Sequence, residues 1–292
     1  MALTTAQAFN DFYTAIKEDE SVTLRVKERK EKVVDVLKIA FPATSTMRYQ
    51  STKVIGSLGR HTASKPFEDI DLLVHLAVDS DLWASKYQYD SSDFLYRVRN
   101  SLNATSTVKK VGARGQAVRL FYSDGLEVDV AAVIKYTSGA YGIPDGSGKW
   151  LTTNPIEHEQ YMYRRNSELG GNLKRFVVIA KQWNRAHSAR LSSFHMEMLA
   201  ARTFATLGTN SRTALRIFFD HNHNSLSVQD PAGHGGDLSS YLTYSARDAV
   251  NTSLKAARDR ADLAIAAENR GEHKESIRQR GIVLGSRFPS YG

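Results

Sequence analysis

The chain has 292 residues, 41% hydrophobic and 24% charged, the balance of a soluble globular protein long enough to bury a full core. It has no cysteine, which excludes disulfides and thiolate zinc sites and fits a cytoplasmic protein. A formal net charge of +8 suits a polyanionic partner, whether a nucleoside triphosphate or a nucleic acid. No membrane partner is expected, because no apolar run reaches spanning length and MALTTAQAF lacks a signal-peptide pattern.

Phe9, Phe12, Tyr13 and Ile16 recur at helical spacing and predict an amphipathic helix near residues 4–18. Val26, Val33, Val34 and Leu37 continue the pattern in a second helix, which Pro42 stops. The KERKEK run on that helix reads as a solvated charged face. Strands are predicted over 52–55 and 70–76, flanking Gly56-Ser57, with a helix at or just after that pair. Trp83, Tyr87, Phe94, Leu95 and Val98 suggest helical packing before the next strands. AVRLFY and LEVDVAAVI are joined by Ser123-Asp124-Gly125, a hairpin signal. The glycine and proline density of YGIPDGSGK, residues 141–149, predicts a loop or hinge. Its Gly-Ser-Gly-Lys is no P-loop, because no glycine stands five residues before Gly148. From Asn154 onward the pattern is helical, with Leu173, Phe176, Val177, Ala180 and Trp183 on one face and Phe194, Met198 and Ala201 on another. A polar loop over 221–236 precedes a long helix over about 245–269.

The chemistry concentrates at GSLGRHTASKPFEDIDLLV. Asp69 and Asp71 stand at i and i+2 of a strand, on one face and about 7 Å apart. Both run straight into Leu72, Leu73 and Val74, and strands this apolar are buried, where an unpaired carboxylate is costly. A third acid, Asp129, alternates against Val128 and Val130 and so faces away from the valines. If its strand neighbours theirs, this third acid would complete a cage of hard oxygens that suits Mg²⁺, or Mn²⁺, rather than zinc. A calcium-loop reading fails, since the glycine and distal glutamate of an EF-hand are missing after Asp69. Gly56 and Ser57 offer backbone N–H groups and a hydroxyl to a phosphate chain, with Arg60 and Thr62 in the same loop. Polyphosphate and two metals together suggest in-line nucleotidyl transfer.

Other residues carry two readings each. Asn154 and Asn166 offer amides that could read a base edge or serve as caps and loop hydrogen bonds. Tyr136 and Tyr141 could stack on a base or fill core and surface positions. His221 and His223 beside Asp220 have the look of a metal site, but a solvated loop is the preferred reading.

On Gly56, Ser57, Asp69, Asp71 and Asp129 the sequence resembles the DNA polymerase β-like nucleotidyltransferases. NPIEH, LGGNLKRFVVIAKQWNR, LSSFHMEML, Asp230-Pro231-Ala232 and Arg287-Phe288-Pro289 extend the likeness to bacterial relatives of cyclic GMP–AMP synthase and oligoadenylate synthetase. The resemblance implies an α/β bilobed fold. Residues 1–150 would hold the N-terminal helices and the catalytic core with its mixed sheet, and 151–292 a C-terminal helical lobe closing the cleft. It implies that Asp69 and Asp71 bind a metal under the donor triphosphate, and that Asp129 joins them on a second. It also implies that Lys181 in its Lys-x-Trp helix, with Ser193 or its neighbour Ser192, reaches the triphosphate. ATP and other triphosphates would become a cyclic or short linear oligonucleotide that activates a separate effector in bacterial antiphage signalling, with nucleic acid not required. Two rivals stand beside this reading: an RNA 3′-end polymerase or tRNA-modifying toxin, and an inactive nucleotide-binding scaffold. No separate basic, aromatic-interleaved tail supports the first, and the three acids count against the second.

Overall fold

The computed structural model describes residues 2–67, 69–103 and 108–292. In chain order these form helices α1 (Thr5–Ile16) and α2 (Glu20–Ala40), strand β1 (Met47–Val54), a single turn α3 (Gly56–Gly59) and strand β2 (Asp69–Val78). The short α4 (Ser80–Leu82) runs on into a π-helical turn, Trp83–Tyr87, before α5 (Ser91–Leu102). Strands β3 (Lys110–Arg114), β4 (Ala117–Phe121), β5 (Glu127–Lys135), β6 (Tyr141–Pro144) and β7 (Trp150–Thr153) follow. The remainder is helical: α6 (Pro155–Glu168), α7 (Leu173–Ala186), α8 (Ser193–Thr203), α9 (Ser211–Asn222), α10 (Tyr244–Asn269) and α11 (His273–Leu284). By contact the chain divides into two units, one of Asp19–Arg60 and Phe67–Glu159, the other of Met1–Glu18, His61–Pro66 and Gln160–Gly292.

The first unit is built on a mixed sheet in the order β1-β2-β5-β4-β3, with β6 on the far end of β5 and β7 beyond it. Only β2 and β5 run parallel; the other pairs are antiparallel. Ile70, Leu72, Val128 and Val130 are fully buried, so the strict alternation of a strand leaves their acidic neighbours on the opposite face. Asp19 caps α2, its carboxylate accepting from the Val22 amide, and the helix ends two residues before Pro42, as the sequence predicts. The expected loop over 141–149 is different. Its first residues pair with 150–153 as the β6–β7 hairpin, with Pro144 opposite Trp150. Proline is tolerated there because it ends the strand. Only the remaining residues turn, held by Asp145, which accepts from the Ser147 and Lys149 amides.

The second unit is helical around α7. Phe176 packs edge-on against Phe204 and Phe218, at 4.9 and 5.5 Å between ring centroids, and Trp183 lies against Phe219. Helix α1 belongs to this unit although it opens the chain, because Phe9 and Phe12 both pack on Phe288 at 5.1 Å. The long predicted helix is α10, and α11 after it has no counterpart in the sequence reading. Among the described residues, no helix is long and apolar enough to cross a membrane.

Candidate active site

Strand pairing assembles the acids. In the parallel β2–β5 pair Asp71 stands opposite Asp129 and Asp69 opposite Glu127. One carboxylate oxygen from each of Asp69, Asp71 and Asp129 lies within 4.8 Å of the others. This is the one such group of acids and histidines among the described residues. Three carboxylates at that spacing can hold a divalent cation, and the all-oxygen donor set fits a hard ion.

The Gly-Ser turn abuts the same acids. Gly56 adopts φ +65°, and a Cβ placed on it would sit 1.8 Å from Asp71 Oδ2, so only glycine lets the chain pass this close. The Ile55 amide donates to the Asp71 carbonyl at 2.9 Å, fixing the start of α3 against β2. Ser57 follows, half-buried in the first turn of α3. A pocket of about 670 Å³ opens here, and its walls include Gly56, Arg60, Asp71, Arg119, Asp129 and His158.

The pocket is electrostatically strained toward a cation. Asp71 is pushed up to about 6, first by burial and then by the charges of Asp69 and Asp129, against the pull of Arg60 and Arg119. Arg119 is the functional candidate that sequence reasoning missed. From β4 its Nε and Nη2 fork onto the two oxygens of Asp129 at 2.7 and 2.5 Å, and Nη1 donates to Glu127 at 2.7 Å. The signal was present: counting outward from the Ser123-Asp124-Gly125 turn places Arg119 directly opposite Asp129, where β4 and β5 indeed pair.

Apart from Arg60, the remaining candidates do not line this pocket. Arg60 is buried in the pocket wall. Thr62 is fully buried in the helical unit, where its carbonyl accepts from Lys181 Nζ at 2.9 Å. Lys181 is buried and paired at 2.7 Å with Glu197 of α8, itself fully buried. Ser192 caps α8, accepting from the His195 amide, and Ser193 is exposed in the first turn. Asn154 accepts from the Glu157 amide at the start of α6, and Asn166 from the Lys174 amide. Tyr141 packs edge-on to His75, and the Tyr136 hydroxyl lies against Gly142. Asp220 is paired with Arg216 and Arg258, and His223 Nδ1 lies 2.6 Å from the Asp220 carbonyl oxygen.

The whole fold aligns with solved structures. The cyclic AMP–GMP synthase DncV of Vibrio cholerae superimposes with a TM-score of 0.79 over 99% of this chain and 98% of its own, at 13% identity. CdnC of Escherichia coli MS115-1, solved with ATP, gives 0.74 over 97% and 98%, at 19% identity. This is the fold of the polymerase β-like nucleotidyltransferases, so the sheet and the helical elements stand as the resemblance implied. A Bacillus cereus (strain VD146) protein named "probable cyclic nucleotide synthase" is 28% identical over 279 residues, covering 83% of this chain and 84% of that protein. The model of the Second Messenger Oligonucleotide or Dinucleotide Synthetase domain matches residues 3–166, and the chain belongs to that family. It is a nucleotidyltransferase of the kind that makes oligonucleotide messengers.

Proposed function

We propose that the protein joins ATP, alone or with other nucleoside triphosphates, into a cyclic or short linear oligonucleotide, using Mg²⁺ held by Asp69, Asp71 and Asp129. The observation that carries this reading is the three-acid cluster at a pocket lined by Asp71 and Asp129, with the glycine turn packed directly against Asp71. Bound divalent ions would lower the pKa of an attacking ribose hydroxyl and neutralise the departing pyrophosphate. Asp69 and Asp71 would orient the donor triphosphate through their shared face, and Asp129 would act on the acceptor side. Gly56 and Ser57 would meet the phosphates with backbone N–H groups and a hydroxyl, and Arg60 would offset their charge. Lys181 and Ser193 are proposed as further triphosphate contacts on the family resemblance. The product would serve as a cytoplasmic messenger for a separate effector in antiphage defence, and ATP in the structure of the Escherichia coli relative supports the substrate class.

Incubation of the purified protein with four nucleoside triphosphates and Mg²⁺, without nucleic acid, tests the reading by mass spectrometry. Pyrophosphate and a phosphatase-resistant product are expected, because a ring has no terminal phosphate monoester. Product that forms only with added tRNA would replace this reading with an RNA-modifying one.

A further inference from the structure

We propose that a cavity in the helical unit, walled by Arg175 and Arg212, binds a phosphate-type oxyanion, held by these two guanidiniums and by the buried charge of Arg280. The cavity measures about 260 Å³, and its walls also include Phe9 and Asn10 of α1 and Asn210 and Ser211 at the start of α9. All of these residues belong to the helical unit, and none lines the pocket at the acids. Arg175 donates through Nη2 to Asn10 Oδ1 at 2.9 Å and lies 4.4 Å over the Tyr13 ring, while its Nε is buried with no partner among the described residues. Arg212 pairs through Nη1 with Glu268 at 3.0 Å and donates from Nε to Asn210 Oδ1 at 3.1 Å. Asn210 also takes the Arg212 and Thr213 amides, so the helix end is closed and the donors on offer are the guanidiniums.

Arg280 shows that the charge here is not balanced by protein groups. It is fully buried, and its guanidinium lies 5.6 Å over the ring of Phe9, the same residue that walls the cavity. None of its three nitrogens has a hydrogen-bond partner among the described residues. A buried guanidinium left in that state is costly, and it calls for a counter-ion. The acids that act on it are already engaged, Glu268 with Arg212 and Asp262 with Arg216. Arg175 pairs with no carboxylate among the described residues. Three guanidiniums against Glu268 thus leave two positive charges around one cavity. A dianion such as hydrogen phosphate neutralises both, where chloride or a single carboxylate neutralises one, and guanidinium forks match the spacing of phosphate oxygens. The volume sets the size of the occupant. Cavities that enclose whole drug-sized molecules run to roughly 300–1,000 Å³, so this one takes a free phosphate-type ion or the phosphate end of a nucleotide whose remainder stays in solvent.

Calorimetric titration of the full chain with inorganic phosphate tests this, at neutral pH, in excess chelator and at an ionic strength held constant with chloride. The wild type should take up phosphate saturably and in preference to chloride and acetate. Arg175→Gln should weaken that binding about tenfold or more. Gly56→Ala, which disturbs the turn at the acids, should bind phosphate as the wild type does. In thermal unfolding, added phosphate should raise the midpoint of Arg280→Met less than that of the wild type, because the variant lacks the buried charge. Competition by ATP in Gly56→Ala separates the two sources of the anion: displacement assigns the site to the phosphate end of a nucleotide, and no displacement to the free ion. Phosphate that binds no better than chloride overturns the proposal, whether or not the variants fold. Binding lost in Gly56→Ala and kept in Arg175→Gln also overturns it, since the ion would then sit at the acids. So does a folded Arg280→Met that gains as much from phosphate as the wild type.

Discussion

Asp71→Asn should make the metal-free protein more stable while abolishing synthesis. Asp71 lies half-buried beside two like charges and is pushed from its ordinary 3.8 to about 6, chiefly by burial. The folded state therefore holds this proton more tightly than the unfolded chain does. The stability that protonation confers is complete below pH 3.8 and lost as pH rises through 6. Above that pH the ionised group costs roughly 3 kcal/mol at each unit's expense of about 1.4 kcal/mol. Asparagine has the same shape and no charge, so it removes most of this cost, less about 1 kcal/mol for an imperfectly bonded amide. A net gain of about 2 kcal/mol corresponds to a rise of several degrees, at about 2–4 °C per kcal/mol for chains of comparable size. Thermal unfolding in excess chelator should show that rise at pH 8 and no difference near pH 3.5. Mg²⁺ should then raise the wild-type midpoint at pH 8 far more than the variant's. A lower midpoint for Asp71→Asn at pH 8 in chelator would refute the reasoning and make the carboxylate a structural group.

Gly56→Ala should abolish activity and weaken Mn²⁺ binding, since its Cβ would meet Asp71 Oδ2 at 1.8 Å in a φ +65° conformation; wild-type turnover and metal affinity in a folded variant would contradict this. Lys181→Ala should cost about 3–5 kcal/mol in denaturant unfolding, because it removes the cation paired with the fully buried Glu197. Lys181→Met with Glu197→Gln should recover most of that loss, and triphosphate affinity measured in this double variant separates a phosphate contact from a packing role. Arg280→Met should stabilise by about 1–3 kcal/mol. The guanidinium is fully buried, burial pushes it down to about 10, and none of its nitrogens has a hydrogen-bond partner among the described residues. A lower unfolding midpoint would show that its contact over the Phe9 ring, at 5.6 Å, outweighs the desolvation.

What the sequence disclosed followed from short-range periodicity. The period of two in DIDLLV and LEVDV put the acids on one side of their strands, and the turn after Ser123 set the β4–β5 pairing. The Arg119–Asp129 pair could have been counted from that turn alone. The contact of Asp71 with Asp129 could not, because β2 and β5 are joined by a crossover whose length says nothing about register. The hairpin over 141–153 was hidden by Gly142 and Pro144, residues that look like loop until the partner strand is known. Helix α11 was hidden by its composition: Ile277, Val283 and Leu284 are interrupted by Gln279 and Arg280, which are buried against the usual expectation for such residues. The Lys181–Glu197 pair was hidden in another way: its two residues lie on different helices, which helical spacing alone does not bring together.

Two carboxylates in this chain, Glu197 and Asp71, differ in how far the fold compensates their charge. Glu197 is fully enclosed, yet Lys181 meets it at 2.7 Å and itself donates to the Thr62 carbonyl, so the desolvation of both charges is offset within the fold. Asp71 is less enclosed, but its nearest charges include two more acids, and the arginines around it leave its proton held too tightly. A sequence selected for stability alone would place one acid on that face, or none. The glycine that lets the chain pass against Asp71 adds a second local cost, a left-handed backbone with no side chain to pack. Both costs fall at one pocket, and the proposed ligand, a cation among the acids with a phosphate chain at the turn, would relieve the first of them. That coincidence, set against the compensated charges of the more deeply buried Lys181–Glu197 pair, is what supports placing the proposed chemistry at the pocket.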